Sequence, residues 1–379
     1  MDRASYFSNS RRIVVKVGSS VLTGNEGLNL KAVRSISRQV SRIIDQNREV
    51  LLVSSGAQAA GTRKIGLSRR PDELPKRQAV AAVGQAGLIM EYEKAFARYH
   101  KKVAQILLTN DGLSHRKRYL NARNTLYALL SWGVVPVINE NDTVSVMEIQ
   151  FGDNDNLAAL ITLMMDAHLL IALSDIDGLY TKNPAAHADA ALIPVVTQIT
   201  KEVEAMAGNL PGSLGTGGMV SKIEAARKLA SAGIPMVIAN GNRPNILLDL
   251  MSGKALGTFF VPKKSRLSGR KSWIAFNLKP KGVIRIDSGA AKAVCKGGKS
   301  LLPSGVIGVE GEFQVGAPVA FSSNNRILGT GLVNYSAADI RKIMGLKTSR
   351  IKERLGYKPY DEVIHRDNLV LTADASAEE

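Results

Sequence analysis

A single cysteine, Cys295, in 379 residues rules out a disulfide within the chain and fits a reducing compartment. The five histidines are scattered, with no HxH or HxxxH pairing, so there is no zinc-type cluster to read. Aromatic residues make up 5% of the chain and show no RNP-type pattern, which weakens any reading as a single-strand RNA reader. Apolar runs such as Leu169–Leu173 are far too short to span a bilayer, and Met1 to Arg12 lacks the apolar core of a secretory signal. The Walker A pattern GxxxxGK[ST] occurs nowhere. These absences together point to a soluble cytoplasmic protein without membrane contact and without a P-loop.

What is present begins with charge. The formal net charge is +17. Residues 263–379 hold 20 Lys and Arg against 11 Asp and Glu, while residues 1–262 hold 30 against 22. The charge density at the carboxyl end is therefore more than twice that of the rest. A basic field favours phosphate-bearing partners of any kind, nucleotides as well as RNA, and says nothing about fold.

At about 150 residues per domain, the length suggests two domains. From residue 13 to about 262, short Val/Ile/Leu-rich strands alternate with helical patterns. The strand candidates are Ile13–Val17, Val50–Ser54, Val103–Thr109, Val134–Ile138, His168–Ser174 and Pro235–Ala239. Helical patterns cover Leu30–Asn47, Lys76–Tyr99, Tyr119–Trp132, Asn154–Asp166 and Met219–Ala232. This alternation predicts an α/β unit over residues 10–262, a parallel sheet with helices on both faces. A basic Ser/Gly-containing stretch then reads as a linker over 263–280. Glycine-punctuated segments follow, among them Gly282–Asp287, Gly316–Phe321 and Ile327–Val333, and predict a small, mostly β barrel over 281–358. Residues 359–379 read as an extension with a frayed end.

Two acid-amide clusters lie ten residues apart, Asn139-Glu140-Asn141-Asp142 and Gly152-Asp153-Asn154-Asp155-Asn156. The first ends an apolar strand and the second opens a helix, where open α/β sheets bind ligands. Clustered carboxylates and amides suit an amino acid's amine or the shell of a hard cation. A polar turn followed by an N-capped helix would use the same residue types.

Lys16 lies inside Ile13-Val14-Val15-Lys16-Val17-Gly18-Ser19-Ser20. Period-two alternation sets it on the face opposite Ile13, Val15 and Val17. In a central strand its ammonium needs a negative partner, and on an edge strand it would simply be solvated. Ser54-Ser55-Gly56-Ala57 closes the second strand, and Ser174-Asp175 closes the strand before Asp177-Gly178. Either could be a plain turn. Gly215-Thr216-Gly217-Gly218-Met219-Val220-Ser221-Lys222 combines loop amides with a helix start, an arrangement suited to an anion. Lys222 falls in the first helical turn, against the helix dipole, which makes sense if a phosphate sits there. An ordinary flexible loop before a helix is the alternative.

Taken together, Lys-x-Gly-Ser-Ser, Ser-Ser-Gly-Ala, Ile-Asn-Glu-Asn-Asp, Gly-Asn/Asp-rich 152–156, Asp-Gly-Leu-Tyr-Thr and Gly-Thr-Gly-Gly-Met resemble the amino acid kinase family. Asp287-Ser288-Gly289-Ala290, Ser300–Val306 and Gly329–Leu332 are similar to a PUA domain, and the resemblance covers residues 10–365. It implies the family's three-layer fold and ATP-dependent phosphorylation of the side-chain carboxylate of L-glutamate, the first step of proline synthesis, with proline as inhibitor. Residue by residue, it implies that Ser55, Asp142 and Asn154 bind glutamate. It implies that Lys16, Ser174, Asp175, Thr216, Gly217, Gly218, Met219, Val220, Ser221 and Lys222 contact ATP. Lys16 and Lys222 would stabilise the transferred phosphoryl group, with Asp155 orienting both. Mg²⁺ would travel on the phosphates, with no protein ligand assigned. A homo-oligomer and a glutamyl-phosphate reductase are the expected partners. The alternatives are another acyl-phosphate-forming member of the family, a nucleoside monophosphate kinase of that fold, or an RNA-binding protein that uses the basic carboxyl end.

Overall fold

The computed structural model describes residues 3–24, 27–144, 154–208, 218–263, 271, 273–275 and 278–372. The chain divides into two compact units, Met1–Arg266 and Leu267–Glu379.

In the first unit the apolar runs become strands β1 (Arg12–Val17), β4 (Glu49–Ser54), β5 (Lys102–Leu108), β6 (Val134–Glu140), β7 (Leu169–Ser174), β8 (Val195–Val196), β9 (Met236–Asn240) and β10 (Thr258–Phe260). A small ribbon, β2 (Thr23–Gly24) with β3 (Gly27–Leu28), stands apart from them. The eight form one sheet in the order β5-β6-β4-β1-β7-β9-β10-β8. Every pairing is parallel except β9 with β10, so the sheet is mostly, not wholly, parallel.

β1 pairs on both sides, Lys16 lying opposite Val53 of β4 and Ala172 of β7. The edge-strand alternative for Lys16 is thereby excluded. Ile13, Val15 and Val17 enter the main apolar core with Ile36, Val40 and Phe259. Lys16 takes the other face, where the helix Asn154–Met164 brings Asp155. Parallel register sets the carboxyl ends of β1, β4 and β7 side by side. Ser55 N–H donates to the Val17 carbonyl at 3.1 Å, and Gly18 N–H to the Leu173 carbonyl at 3.0 Å.

Two helices wall this end of the sheet, Ala57–Ile65 and Leu74–Ala97. They meet backbone against backbone: a Cβ on Gly61 would fall 1.8 Å from the Val80 carbonyl oxygen, and one on Gly84 1.8 Å from that of Ala57. No side chain fits in that seam. The turn into the first helix needs Gly56 at φ +103, a conformation that other residues adopt only with strain.

The second unit is a five-stranded sheet in the order β12 (Val306–Glu310), β11 (Val283–Ile286), β13 (Pro318–Ser323), β14 (Arg326–Val333) and β15 (Ile364–Leu371). Helices Ser288–Cys295 and Ala337–Ile343 accompany it. The chain leading into β12 bridges to β15 at Leu301–Ile364, which draws the two ends of the sheet together as a barrel requires. Its core holds Ile284, Phe321, Tyr335, Ile340 and Val363. Residues 364–371, read from sequence as part of an extension, form the fifth strand, because Leu369 and Val370 bury their side chains there. The segment read as a linker lies largely outside the described residues, and the end read as frayed does so from residue 373 onward.

Candidate active site

Two groups of side chains converge where β1, β4, β6 and β7 end. They are joined by two consecutive residues at the start of one helix, Asn154 and Asp155.

Asp155 is fully enclosed. Its Oδ1 lies 2.6 Å from the Lys16 ammonium and its Oδ2 3.1 Å from the Lys222 ammonium. Ser221 Oγ donates to Oδ2 at 2.8 Å. Both lysines are only 4% exposed, which decides the matter of solvation: neither ammonium is hydrated like a surface lysine. Burial by itself would push the Asp155 carboxyl up. The two ammonium charges and the hydrogen bonds from Lys16 and Ser221 overcome it and hold the group at about 2. Asp155 is therefore a permanent anion clamped between two cations, with one positive charge in excess. Lys222 reaches it from the helix Met219–Ser231, capped by Gly218. Met219 is buried and Val220 exposed. Thr216 and Gly217 lie outside the described residues, so the glycine-loop reading rests on Gly218 alone.

Asn154 faces the other way, into a cavity of about 530 Å³ that Ser55, Gln58, Arg70 and Asp142 also line. Asn154 Nδ2 donates to Ser55 Oγ and to Asn139 Oδ1, each at 3.0 Å. Asn139 in turn donates to Gln85 Oε1 at 2.8 Å. With Nδ2 so engaged, the amide's orientation is set, and its Oδ1 is buried without a donor among the described residues. Asp142 begins a short 3-10 turn after β6. Burial pushes its carboxyl above the ordinary range, against a hydrogen bond from Gln58 and the charge of Arg70. Asp142 and Asn154 thus bring a carboxylate and a side-chain amide to the wall of one cavity, groups of the kind that can meet an ammonium. Beneath Ser55, the buried Tyr92 hydroxyl lies 2.9 Å from Ser54 Oγ and fixes the strand end.

Ser174 is buried at the end of β7, with its hydroxyl 3.1 Å from Asp175 Oδ1, and Asp175 is exposed. Gly241 N–H donates to the Ser174 carbonyl at 2.7 Å, tying the ends of β7 and β9. Neither Ser174 nor Asp175 lines the cavity. The geometry thus brings Ser55, Asp142 and Asn154 together, and separately Lys16, Asp155, Ser221 and Lys222. Gly152 and Asp153 of the second acid-amide cluster lie outside the described residues. Sequence reasoning assigned no role to Gln58, Arg70, Gln85 or Tyr92. A lone Gln or Arg in a polar stretch carries no local signal, and Tyr92 looks like any aromatic of a helix core.

A buried lysine pair on one carboxylate and a polar cavity lie at the carboxyl ends of a mostly parallel sheet, which is where enzymes of the α/β class bind their ligands. The chain belongs to the amino acid kinase family, whose model matches residues 11–240, and a PUA domain model matches residues 282–355. The family expected from the motifs is the one found. Over 371 residues the chain is 49% identical to a glutamate 5-kinase of Syntrophus aciditrophicus, covering 98% of this chain and 96% of that one. It is 50% identical over 371 residues to a glutamate 5-kinase of Geobacter sulfurreducens, covering 97% of this chain and all of the relative. With a glutamate 5-kinase of Caldanaerobacter subterraneus subsp. tengcongensis it shares 51% over 362 residues, 95% of this chain and 97% of the relative.

Proposed function

We propose that this protein transfers the γ-phosphoryl group of ATP to the side-chain carboxylate of L-glutamate, giving L-glutamyl 5-phosphate at the entry to proline synthesis. The observation that carries the reading is the adjacency of Asn154, which faces an amine receptor, and Asp155, which holds two buried ammonium groups.

The chemistry needs no general base. Glutamate's side-chain carboxylate, with a pKa of about 4.3, is ionised near neutrality. One of its oxygens bonds to the γ-phosphorus while the bond from that phosphorus to the bridging oxygen breaks, and the electron pair leaves on ADP. No proton moves. The protein's task is to align two anions and offset the charge on the equatorial oxygens. Lys16 and Lys222 do this from fixed positions, and Asp155 keeps both chains extended toward the reaction centre. Ser55, Asp142 and Asn154 hold glutamate. Ser174, Asp175 and the segment from Thr216 to Lys222 hold the nucleotide.

Both oxygens of Asp155 are engaged by ammonium groups, so it is a poor metal ligand. Among the described residues no cluster of three His, Cys, Asp or Glu side chains could hold a metal. Mg²⁺ carried on the phosphates of ATP would neutralise phosphate charge there. Proline, which shares glutamate's α-carboxylate and a cationic amine, competes for the same cavity. The acyl phosphate is reactive and is passed to a glutamyl-phosphate reductase, and the enzyme works as a cytoplasmic homo-oligomer. Among the described residues no helix is long and apolar enough to cross a membrane.

The test is ATP-dependent hydroxamate formation with hydroxylamine. Glutamate supports it, and neither aspartate nor N-acetylglutamate does. Equal turnover of aspartate overturns the substrate assignment.

A further inference from the structure

The acceptor cavity holds a cation that none of the roles above uses. Arg63, Arg69 and Arg70 all line it; the first two are exposed, whereas Arg70 is half-buried. The Nε of Arg70 is sealed from solvent and donates to nothing among the described residues. A buried N–H without an acceptor costs free energy, so the packing around this one arginine of the three is held for some other gain. Burial and the nearby charge of Arg77 both work against its positive form, while Asp142 favours it.

Arg70 and Asp142 are close enough to feel each other's charge, yet they form no ion pair. Two opposite charges held in reach but apart, on the wall of one cavity, match a zwitterion that would lie between them. The glutamate of the proposed reaction has three ionic groups. Its side-chain carboxylate goes to the lysine pair, and its α-ammonium to Asp142 and the unused Asn154 Oδ1. The α-carboxylate is left, and it needs a cation on the Asp142 side of the cavity. A planar guanidinium meets a carboxylate through two parallel hydrogen bonds, which gives direction as well as charge.

We infer that Arg70 binds the α-carboxylate of the acceptor and thereby restricts the site to free α-amino acids. This inference rests on the glutamate reading and extends it. It makes Arg70 a specificity-determining residue, remote from the transferring phosphoryl group.

The experiment compares glutamate with its α-amide, which keeps the side-chain carboxylate and the amine but has no α-carboxylate. Hydroxamate kinetics and calorimetric binding of both acceptors are measured on the full-length protein, on Arg70→Met and on Arg70→Lys. The wild type should prefer glutamate strongly. Arg70→Met should lower kcat/KM for glutamate by roughly 10- to 100-fold, the size of a lost charge-assisted pair, mainly through KM. Its kcat/KM for the α-amide should change by less than about threefold, since no contact to that acceptor is lost. Arg70→Lys should recover part of the preference. An equal fall with both acceptors would show that Arg70 only supports the wall and would overturn the inference, as would a variant that discriminates like the wild type. The reading beneath it fails separately: Arg70-dependent binding of glutamate without hydroxamate formation leaves the α-carboxylate assignment standing and sinks the reaction.

Discussion

The two units of this chain treat charge in opposite ways. The first encloses Lys16, Asp155, Lys222, Asn139 and Asn154 near the carboxyl ends of its strands. In the second, no charged side chain among the described residues is buried. Yet the second unit has the higher density of positive charge, and among the described residues every Lys and Arg in it is exposed or half-buried. Net charge therefore points to the wrong half of the molecule when one looks for chemistry. Desolvated charge points to the right one, because an ion is removed from water only where a partner or a substrate compensates.

Several measurements would break or sharpen that contrast. The largest effect belongs to the buried pair. Lys16→Ala or Lys222→Ala should lower kcat by roughly 10²-fold or more, each removing a charge that stabilises the transition state. Asp155→Asn should cost stability as well, since two buried ammonium groups lose their partner. Its deficit relative to wild type has a definite pH course. Asp155 is held near 2, below its unfolded value, so its contribution is complete above about pH 4 and is lost as pH falls toward 2. Melting curves of both proteins across that window would show the two converging; a constant gap would contradict the clamp.

Next comes the acceptor side. Asp142→Ala should raise the KM for glutamate by roughly 10- to 100-fold with a smaller change in kcat, because the ammonium contact exists before and during transfer. Burial raises the Asp142 carboxyl, so kcat/KM should fall on the acid side above the ordinary carboxylate range, as protonation removes the ammonium's partner. Asp142→Asn should abolish that limb and leave the one set by glutamate's own carboxyl group.

The helix seam is third. Gly84→Ala places a Cβ 1.8 Å from a backbone oxygen that no rotamer change can move. It should lower the melting temperature of the first unit by about 5–10 °C, the scale expected for overpacking. It should also disturb glutamate binding more than ATP binding.

The smallest effect on turnover is expected in the second unit. Phe321→Ala removes a fully buried ring and should destabilise that unit by about 3–5 kcal/mol, with kcat within error of wild type. A chain ending near Lys264 should likewise fold and phosphorylate glutamate. A truncated chain that is soluble and melts cooperatively but is inactive would end the division of labour drawn here.

The strands around the site were legible because each is a short Val/Ile/Leu run, and Lys16 interrupts one of them. The helix boundaries of Met219–Ser231 and Asn154–Met164 lie within a few residues of expectation, since glycine and Asn/Asp mark their starts. The helix Ala57–Ile65 went unread, because its Ala/Gly-rich sequence has no apolar stripe and its packing depends on missing side chains. β10 was also missed. Three residues are too few to show a period, and its antiparallel direction is a tertiary fact. In the site, Lys16 was readable as a charge inside an apolar strand, whereas Asp155 was readable only as one member of an acid-amide cluster, its part beside the lysines coming from the family resemblance. Arg70 and Gln58 were not, because only the fold brings them onto the wall that Asp142 shares.

The backbone contact between Gly61 and Gly84 sets a limit on how this enzyme could be re-engineered. One wall of the cavity is held at a distance that main chain dictates, so under the proposed function it is expected to limit the length of the acceptor. Trimming side chains along Ala57–Ile65 would remove atoms without moving that wall. A longer acceptor, with one more methylene between its amine and its reacting carboxylate, would require the helix itself to be re-seated. Selection for such a substrate should therefore return changes in the residues that fix the helix's position, Gly61, Gly84 and the turn at Gly56, sooner than in the residues that face the ligand.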